Sequence, residues 1–329
     1  MVNAVRKAGG IWSLQDLDSY QVVEREPVKG SYQSISITSA PPSSSGGIVL
    51  VEALNILSGF DLQQSDEITR KHLITEAMRR AYHDRALYLG DPDFIDIPVK
   101  RLLSEDYAAG LRSTIRPDKA LPNGFLSGDL PEENQGTQTT HFSIIDEDGN
   151  RVAATLSINT AFGAGFVPEG TGVLLNNEMD DFASLPGAMN GYGLVGGVAN
   201  SIAPGKRMLS SMTPSFLETP DRIAVLGTPG GSRIISMVLL GALDFAKGNN
   251  PDSWVSLPRF HHQYMPDVIE YEKNAFTPDE LTKLSALGHK IKETKRPYGD
   301  MQAVQLHKLT KKLTAASDPR GVGKAWVSP

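Results

Sequence analysis

The chain has 329 residues, of which 40% are hydrophobic and 21% charged, with a formal net charge of −6 and no cysteine. That balance offers no basic field for nucleic acid or anionic lipid. No apolar run approaches the ~20 residues of a membrane span. The absent thiols remove disulfides, thiolate catalysis and most structural zinc chemistry.

The length exceeds one typical domain and allows a sizeable core. Residues 1–60 alternate short strand-like runs with turns, among them the loop Pro41-Pro42-Ser43-Ser44-Ser45-Gly46-Gly47. Ser65 reads as a helix N-cap, with Asp66 and Glu67 complementing the dipole in the first turn. Leu73, Ile74, Ala77, Met78, Ala81 and Tyr82 recur at helical spacing, and Gly90-Asp91-Pro92 ends that helix. The stretch from Ile115 to Gln138 is rich in Pro, Gly, Asn and acids, the composition of a surface linker.

Beyond it, Thr139 to Asn159 has the alternation of a β-hairpin. Phe142 and Ile144 alternate with His141, Ser143 and Ile145; Val152, Ala154, Leu156 and Ile158 alternate on the return strand. The turn contains Asp148-Gly149. A two-residue turn would put Thr139 and Ser157 on opposite faces, whereas a three-residue loop, Glu147-Asp148-Gly149, pairs them. That loop is expected, with Gly149 at positive φ in a bulge. Gly172 to Asn176 and Arg222 to Leu226 read as further strands. Ile234 to Phe245 reads as a helix apolar nearly all round, hence buried. These elements imply a layered α+β or α/β body.

Most candidate chemistries fail on spacing. The seven histidines form no HExxH or HxH, and adjacent His261 and His262 would point to opposite faces of a strand. Neither Ser43-Ser44-Ser45 nor Ser210-Ser211 lies in a G-x-S-x-G elbow. Gly227-Thr-Pro-Gly-Gly-Ser232 follows a strand and opens a helix, but it lacks the Walker A lysine and the G-x-G-x-x-G spacing. The same geometry suits a developing oxyanion. Thr139, which opens a strand after a linker, is the most suggestive residue. A cut before it would give one residue a hydroxyl and a free α-amine of pKa about 7.7–8.0, its own general base. Spacing alone reads Thr139 and Thr140 equally well as ordinary strand residues.

Gln138-Thr-Thr-His-Phe-Ser143 resembles the processing site of γ-glutamyltransferases, in which the first Thr after the cut is the nucleophile. Further blocks follow in family order. Ser157-Ile-Asn-Thr160 resembles the segment flanking the nucleophile, with Ser157 where relatives often carry Thr; this implies roles for Ser157 and Asn159. Leu174-Leu-Asn-Asn-Glu-Met-Asp-Asp-Phe182 is similar to the segment that grips the substrate α-amine, implying Glu178 and Asp181. Leu209-Ser-Ser-Met212 is similar to the serine pair for the α-carboxylate, implying Ser210 and Ser211. Gly227 to Arg233 is similar to the oxyanion-hole loop, implying the Gly230 and Gly231 amides. Pro186 to Gly197, with Tyr192, resembles the lid loop, and Asp318-Pro-Arg320 the C-terminal signature.

The resemblance implies an α+β fold, the N-terminal-nucleophile αββα four-layer sandwich, incomplete on its large-subunit side. Residues 1–138 would be the C-terminal portion of the large subunit, and 139–329 the small catalytic subunit. The two would associate after self-cleavage between Gln138 and Thr139. It implies transfer of the γ-glutamyl group of glutathione or related amides to water, amino acids or peptides, with no metal, no other cofactor and no nucleic-acid partner. Two acids at i and i+3 beside two hydroxyls suit the ammonium and carboxylate of such a donor. Family members are periplasmic or extracellular. They begin upstream of the region resembled by Met1, with a secretion signal and an arginine that pairs with the donor carboxylate; no residue here is matched to that arginine. Little activity is therefore expected of this stretch alone. The alternatives are a cephalosporin-acylase-like amidohydrolase, which needs no zwitterion clamp, and a non-enzymatic unprocessed fragment.

Overall fold

The computed structural model describes residues 1–121 and 139–328; Gln138, the predicted donor of the scissile carbonyl, lies outside them. In chain order the elements are α1 (Val2–Lys7), α2 (Leu14–Asp18), β1 (Val28–Tyr32), β2 (Ile35–Ser39), α3 (Gly46–Leu57), α4 (Glu67–Tyr88), α5 (Val99–Leu102) and α6 (Glu105–Arg112). The predicted linker lies mostly outside the described residues; from residue 139 come β3 (Thr139–Ile145), β4 (Arg151–Ser157), β5 (Ser215–Glu218), β6 (Arg222–Gly227), α7 (Ile234–Ala246) and α8 (Pro251–Ser256). The chain continues through β7 (Phe260–His261), β8 (Ile269–Tyr271), α9 (Pro278–Ala286), β9 (Ile291–Glu293), β10 (Gln302–His307) and β11 (Leu313–Ser317).

The main sheet is antiparallel and six-stranded, in the order β1-β2-β5-β6-β10-β11. Its central strand β6 is buried on both faces, so it reads as an apolar run, whereas β2 and β5 alternate. On β6, Ala224 and Leu226 face the large core built with α3, α4 and α7, while Ile223 and Val225 face a smaller core with Ile145 and Val304. The β3–β4 hairpin thus lies against the opposite face of the sheet from the helices. This is an α+β layering of helices, sheet and hairpin. The hairpin's outer face carries Phe142, Ile144, Val152 and Leu156, which are 43%, 48%, 44% and 54% exposed. Among the described residues no further layer covers it.

Three local expectations are corrected. The helix beginning at Glu67 is capped by Asp66, not Ser65: the Asp66 carboxylate accepts from the N–H groups of Ile68 and Thr69, whereas the Ser65 hydroxyl donates to the Asp61 carbonyl. Residues 1–60 hold helices as well as strands. α3 is buried along its whole length, Glu52 and Asn55 included, so no alternation of buried and exposed faces marks a helical period. Gly172 to Asn176 is not a strand. It folds back on its own loop, Ala164 N–H donating to Leu175 O at 2.8 Å and Leu175 N–H to Phe166 O at 3.0 Å, with Gly170 and Gly172 at positive φ on the approach.

The C-terminal signature is a structural brace. The Asp318 carboxylate pairs with Arg259 and accepts from Met301 N–H, and the Arg320 guanidinium reaches Glu272 at 2.7 Å. His261 and His262 are both buried, bonded to Ser236 and Asp267 respectively. Burial holds them neutral, at about 4 and about 3.

Candidate active site

The hairpin register pairs Thr139 with Ser157. Gly149 N–H closes the loop onto Asp146 O, and Gly149 sits at φ 86°. Thr139 Oγ1 donates to Ser157 Oγ at 3.1 Å, and Ser157 Oγ accepts from Asn159 N–H at 2.8 Å. Asn159, at φ 70°, takes the left-handed turn that asparagine tolerates better than most residues. Its side-chain amide donates to Asn177 O at 3.1 Å, and its carbonyl accepts from the Tyr192 hydroxyl at 2.8 Å. Asn159 therefore anchors the acidic segment and the loop above it, and its recorded bonds do not run to Thr139. Two residues along from Thr139, His141 bonds Thr155 at 2.8 Å and Ser143 at 3.0 Å. Burial pulls His141 down to about 4, so it is a neutral strut at physiological pH.

Glu178 to Asp181 form one 3-10 turn beside this strand end. The Asn200 amide donates to Asp181 O at 2.7 Å and its oxygen accepts from Leu209 N–H, tying the acidic turn to the serine segment. Burial raises Asp181 to about 7; the Glu178 charge adds to the rise and Arg85 opposes it. Burial also raises Glu178, whose Oε1 has no hydrogen-bond partner among the described residues. A bound ammonium would satisfy both acids at once.

Ser210 and Ser211 are held by the loop that precedes α3. Ser45 N–H and Oγ both donate to Ser210 O, Ser210 N–H donates to Ser43 O, and Ser44 Oγ donates to Met212 O. Behind them lies Arg85 of α4, which is only 3% exposed. Its Nε donates to Ser45 Oγ at 2.9 Å and its Nη2 to Ser211 Oγ at 3.2 Å. The sequence reading found no arginine for a donor carboxylate. The structure places this one a single hydroxyl behind the serine pair, where it polarises Ser211 and raises the local potential.

The glycine loop closes the site. Gly230 and Gly231 lie at φ 149° and 57°, just before α7. Neither amide donates a hydrogen bond to another described residue, and the helix dipole adds positive potential there. A Cβ on Gly231 would strike the Tyr192 ring, and one on Gly227 would strike His141. These close approaches set the loop against the hairpin.

Thr139, Ser157, Asn159, Glu178, Asp181, Tyr192, Ser210, Ser211 and Gly231 share one cavity of about 20 Å³, room for a single water. A larger groove of about 260 Å³, lined by Tyr32, Leu62, Ile74, Leu243 and Phe260, lies elsewhere and holds none of these side chains. His72, Glu76 and His289 also converge, with ligand atoms within 4.8 Å. Glu76, however, is engaged by Arg79 and Arg80, and the two rings hydrogen-bond each other at 2.7 Å. Adjacent guanidinium charge makes that cluster a poor cation site. Sequence reasoning missed Arg85, Ser45 and Asn200. For Arg85 a signal existed: it continues the buried stripe of Met78, Ala81 and Tyr82, where an apolar residue belongs.

A family profile described as Gamma-glutamyltranspeptidase matches residues 1–328. The chain belongs to this family. It is 42% identical over 324 residues to the glutathione hydrolase proenzyme of Escherichia coli (strain K12), covering 97% of this chain and 55% of that protein. The chain thus spans about half the length of the curated relatives it matches. Cephalosporin acylase from Bacillus halodurans superposes with a TM-score of 0.84 at 28% identity, over 100% of this chain and 59% of the other. A gamma-glutamyltranspeptidase chain from Pseudomonas nitroreducens, 44% identical, superposes with a TM-score of 0.54 over 58% of this chain and 100% of its own. The predicted N-terminal-nucleophile hydrolase fold agrees with these neighbours.

Proposed function

We propose that residues 139–329 are the catalytic half of a γ-glutamyl acyltransferase and hydrolase, acting on glutathione and related γ-glutamyl amides after a cut between Gln138 and Thr139. The observation that carries this reading is the single cavity in which a strand-opening hydroxyl meets two acids, a serine pair backed by Arg85, and a glycine loop. The donor ammonium sits between Glu178 and Asp181, and its carboxylate meets Ser210 and Ser211. Thr139 Oγ1 bonds to the γ-carbonyl carbon of the donor amide as the Thr139 α-amine takes its proton. The Gly230 and Gly231 N–H groups stabilise the oxyanion; such donors contribute roughly 2.7–4 kcal/mol each. Collapse breaks the C–N bond, and the α-ammonium returns the proton to the leaving amine. Water or an acceptor amine then attacks the ester and gives its proton to the α-amine, and Thr139 leaves with a proton restored.

The proposed halves suit a two-piece protein. Residues 139–329 are 191 of the 329, or 58%, a share equal in size to that covered by the solved chain from Pseudomonas nitroreducens. The pairing of β2 with β5 crosses the proposed cut, so the main sheet would hold both pieces together. A location outside the cytoplasm, periplasmic or extracellular, belongs to the same proposal. Among the described residues no helix is long and apolar enough to cross a membrane.

A second reading, a cephalosporin-acylase-like amidohydrolase, is favoured by the TM-score of 0.84. The two acids and the Arg85-backed serines weigh against it, because a plain acyl group carries no zwitterion. Intact mass and turnover of γ-glutamyl-p-nitroanilide, measured on a protein that spans the full length of the curated relatives, test the proposal. Two fragments divided at Thr139, with turnover of that donor, are expected. A single inert chain, or fragments that hydrolyse only acyl groups lacking an α-amine, would overturn it.

A further inference from the structure

The segment from Gly187 to Gly197 contributes Tyr192 and Leu194 to the cavity wall, and Asn190 holds its tip. Asn190 N–H donates to Leu194 O at 3.0 Å and Gly193 N–H to Asn190 O at 2.9 Å, which forms a tight turn. The Asn190 side-chain oxygen accepts from the N–H groups of Tyr192 and Leu194, at 3.0 and 3.1 Å. The oxygen end of the amide is thus committed to the loop itself, and the nitrogen end must point away. It donates to Asp181 Oδ1 at 3.2 Å. Gly191 N–H donates to Asp180 Oδ2 at 3.1 Å, and the Tyr192 hydroxyl holds Asn159 O. The loop is therefore fastened to the acidic turn as well as to the end of β4.

We propose that Asn190 is a positioning residue that couples closure of this loop to occupation of Asp181 by the donor ammonium. The proposal rests on the donor reading above. The cavity, at about 20 Å³, is smaller than an amino-acid head, and Tyr192 and Leu194 of the loop form part of its wall; lifting the loop makes room for a donor and breaks the bond to Asp181. Asp181 is faced by Glu178 and Asp180 from its own turn, by Arg85 from α4, and by Asn190 and Tyr192 from the loop. In the empty site burial and Glu178 favour the neutral acid, which accepts the amide weakly. A bound ammonium holds Asp181 ionised, and an N–H bond to a carboxylate is roughly twice as strong as one to a neutral acceptor. The loop then closes more firmly over a site that holds a correct head group, and releases when the ammonium leaves.

The test uses the intact protein with L-glutamate as probe, comparing wild type with Asn190→Ala and Asn190→Asp. Saturating glutamate is expected to slow hydrogen exchange across residues 187–197 of the wild type by about tenfold or more, a local-opening effect. In Asn190→Ala, glutamate should still bind within about tenfold of wild type yet leave exchange in the loop unchanged. In Asn190→Asp, a further like charge faces Asp181, so the pH midpoint of glutamate affinity should move up by about one unit. Equal protection of the loop in Asn190→Ala, or an unmoved midpoint in Asn190→Asp, overturns the coupling. Failure of glutamate to bind wild type overturns the donor reading itself.

Discussion

Replacing Asp181 by Asn removes a charge while keeping the shape of the side chain. Asp181 is raised to about 7 by burial and by Glu178. It is therefore about 9% ionised at pH 6 and about 91% ionised at pH 8. The ammonium of a free amino acid stays charged across that range, so only the ionised acid attracts it. Wild-type affinity for L-glutamate should then improve about tenfold from pH 6 to pH 8, and Asp181→Asn should abolish that slope. At pH 8 the variant should also bind worse by about 10²–10³-fold, from the ~3–5 kcal/mol lost when one partner of a buried charge contact is removed. Stability should move the other way. A folded pKa above the unfolded one stabilises at pH below the unfolded value and is lost as pH rises through the folded value. Asp181→Asn should therefore melt at a higher temperature than wild type at pH 8. The assay is competitive inhibition by L-glutamate across pH 5.5–8.5, because catalytic rates also carry the titration of the Thr139 amine. A pH slope that persists in Asp181→Asn would refute the assignment of the ammonium to this residue.

Thr139→Ala should leave one uncleaved chain by intact mass and no turnover; N-terminal sequencing of wild type should begin at Thr139. Glu52 is fully buried in α3, with neither carboxylate oxygen bonded among the described residues and a pKa well above ordinary from burial and from Asp84. By the same sign argument Glu52→Gln should raise the melting temperature at pH 8 more than at pH 5. The exposed hairpin face of Phe142, Ile144, Val152 and Leu156 should make residues 1–329, prepared alone, associate and bind a hydrophobic dye. Converting Phe142 and Leu156 to Thr should suppress both, and a monodisperse wild type by light scattering would contradict the expectation.

What the sequence showed of the fold follows from where each element lies. β3 and β4 pack one face on the sheet and leave the other outward, so Phe142 and Ile144 alternate with His141, Ser143 and Ile145, and the hairpin and its register were legible. α4 was legible because its stripe, Leu73 to Tyr82, repeats over nearly three turns. α3 was not, because every one of its twelve positions is buried and no exposed face marks its period. The false strand at Gly172 to Asn176 has the opposite cause. Its apolar run of Val173, Leu174 and Leu175 reads as a strand, but backbone bonds to residues 164–166 take groups that a sheet would need.

The candidate site divides along the same line. Thr139, the acidic turn, the serine pair and the glycine loop lie in contiguous blocks, because each must offer a backbone shape as well as a side chain. Such blocks can be recognised in a sequence. Arg85, Asn200 and Asn190 act singly, from a helix face or a loop tip, and their effect depends on a partner more than a hundred residues away or on a turn that brings them within about 3 Å. Arg85 is the clearest case. A lone charge in an apolar stripe carries a cost that nothing local offsets, since burial lowers the pKa of a guanidinium. Its compensation comes from Ser45, 40 residues before it, and Ser211, 126 residues after it. The misfit is visible in the sequence, whereas the compensation is visible only in three dimensions. A charged residue that interrupts a buried helical stripe is thus a pointer to a site, and the identity of that site follows from whichever polar segment the fold brings against it.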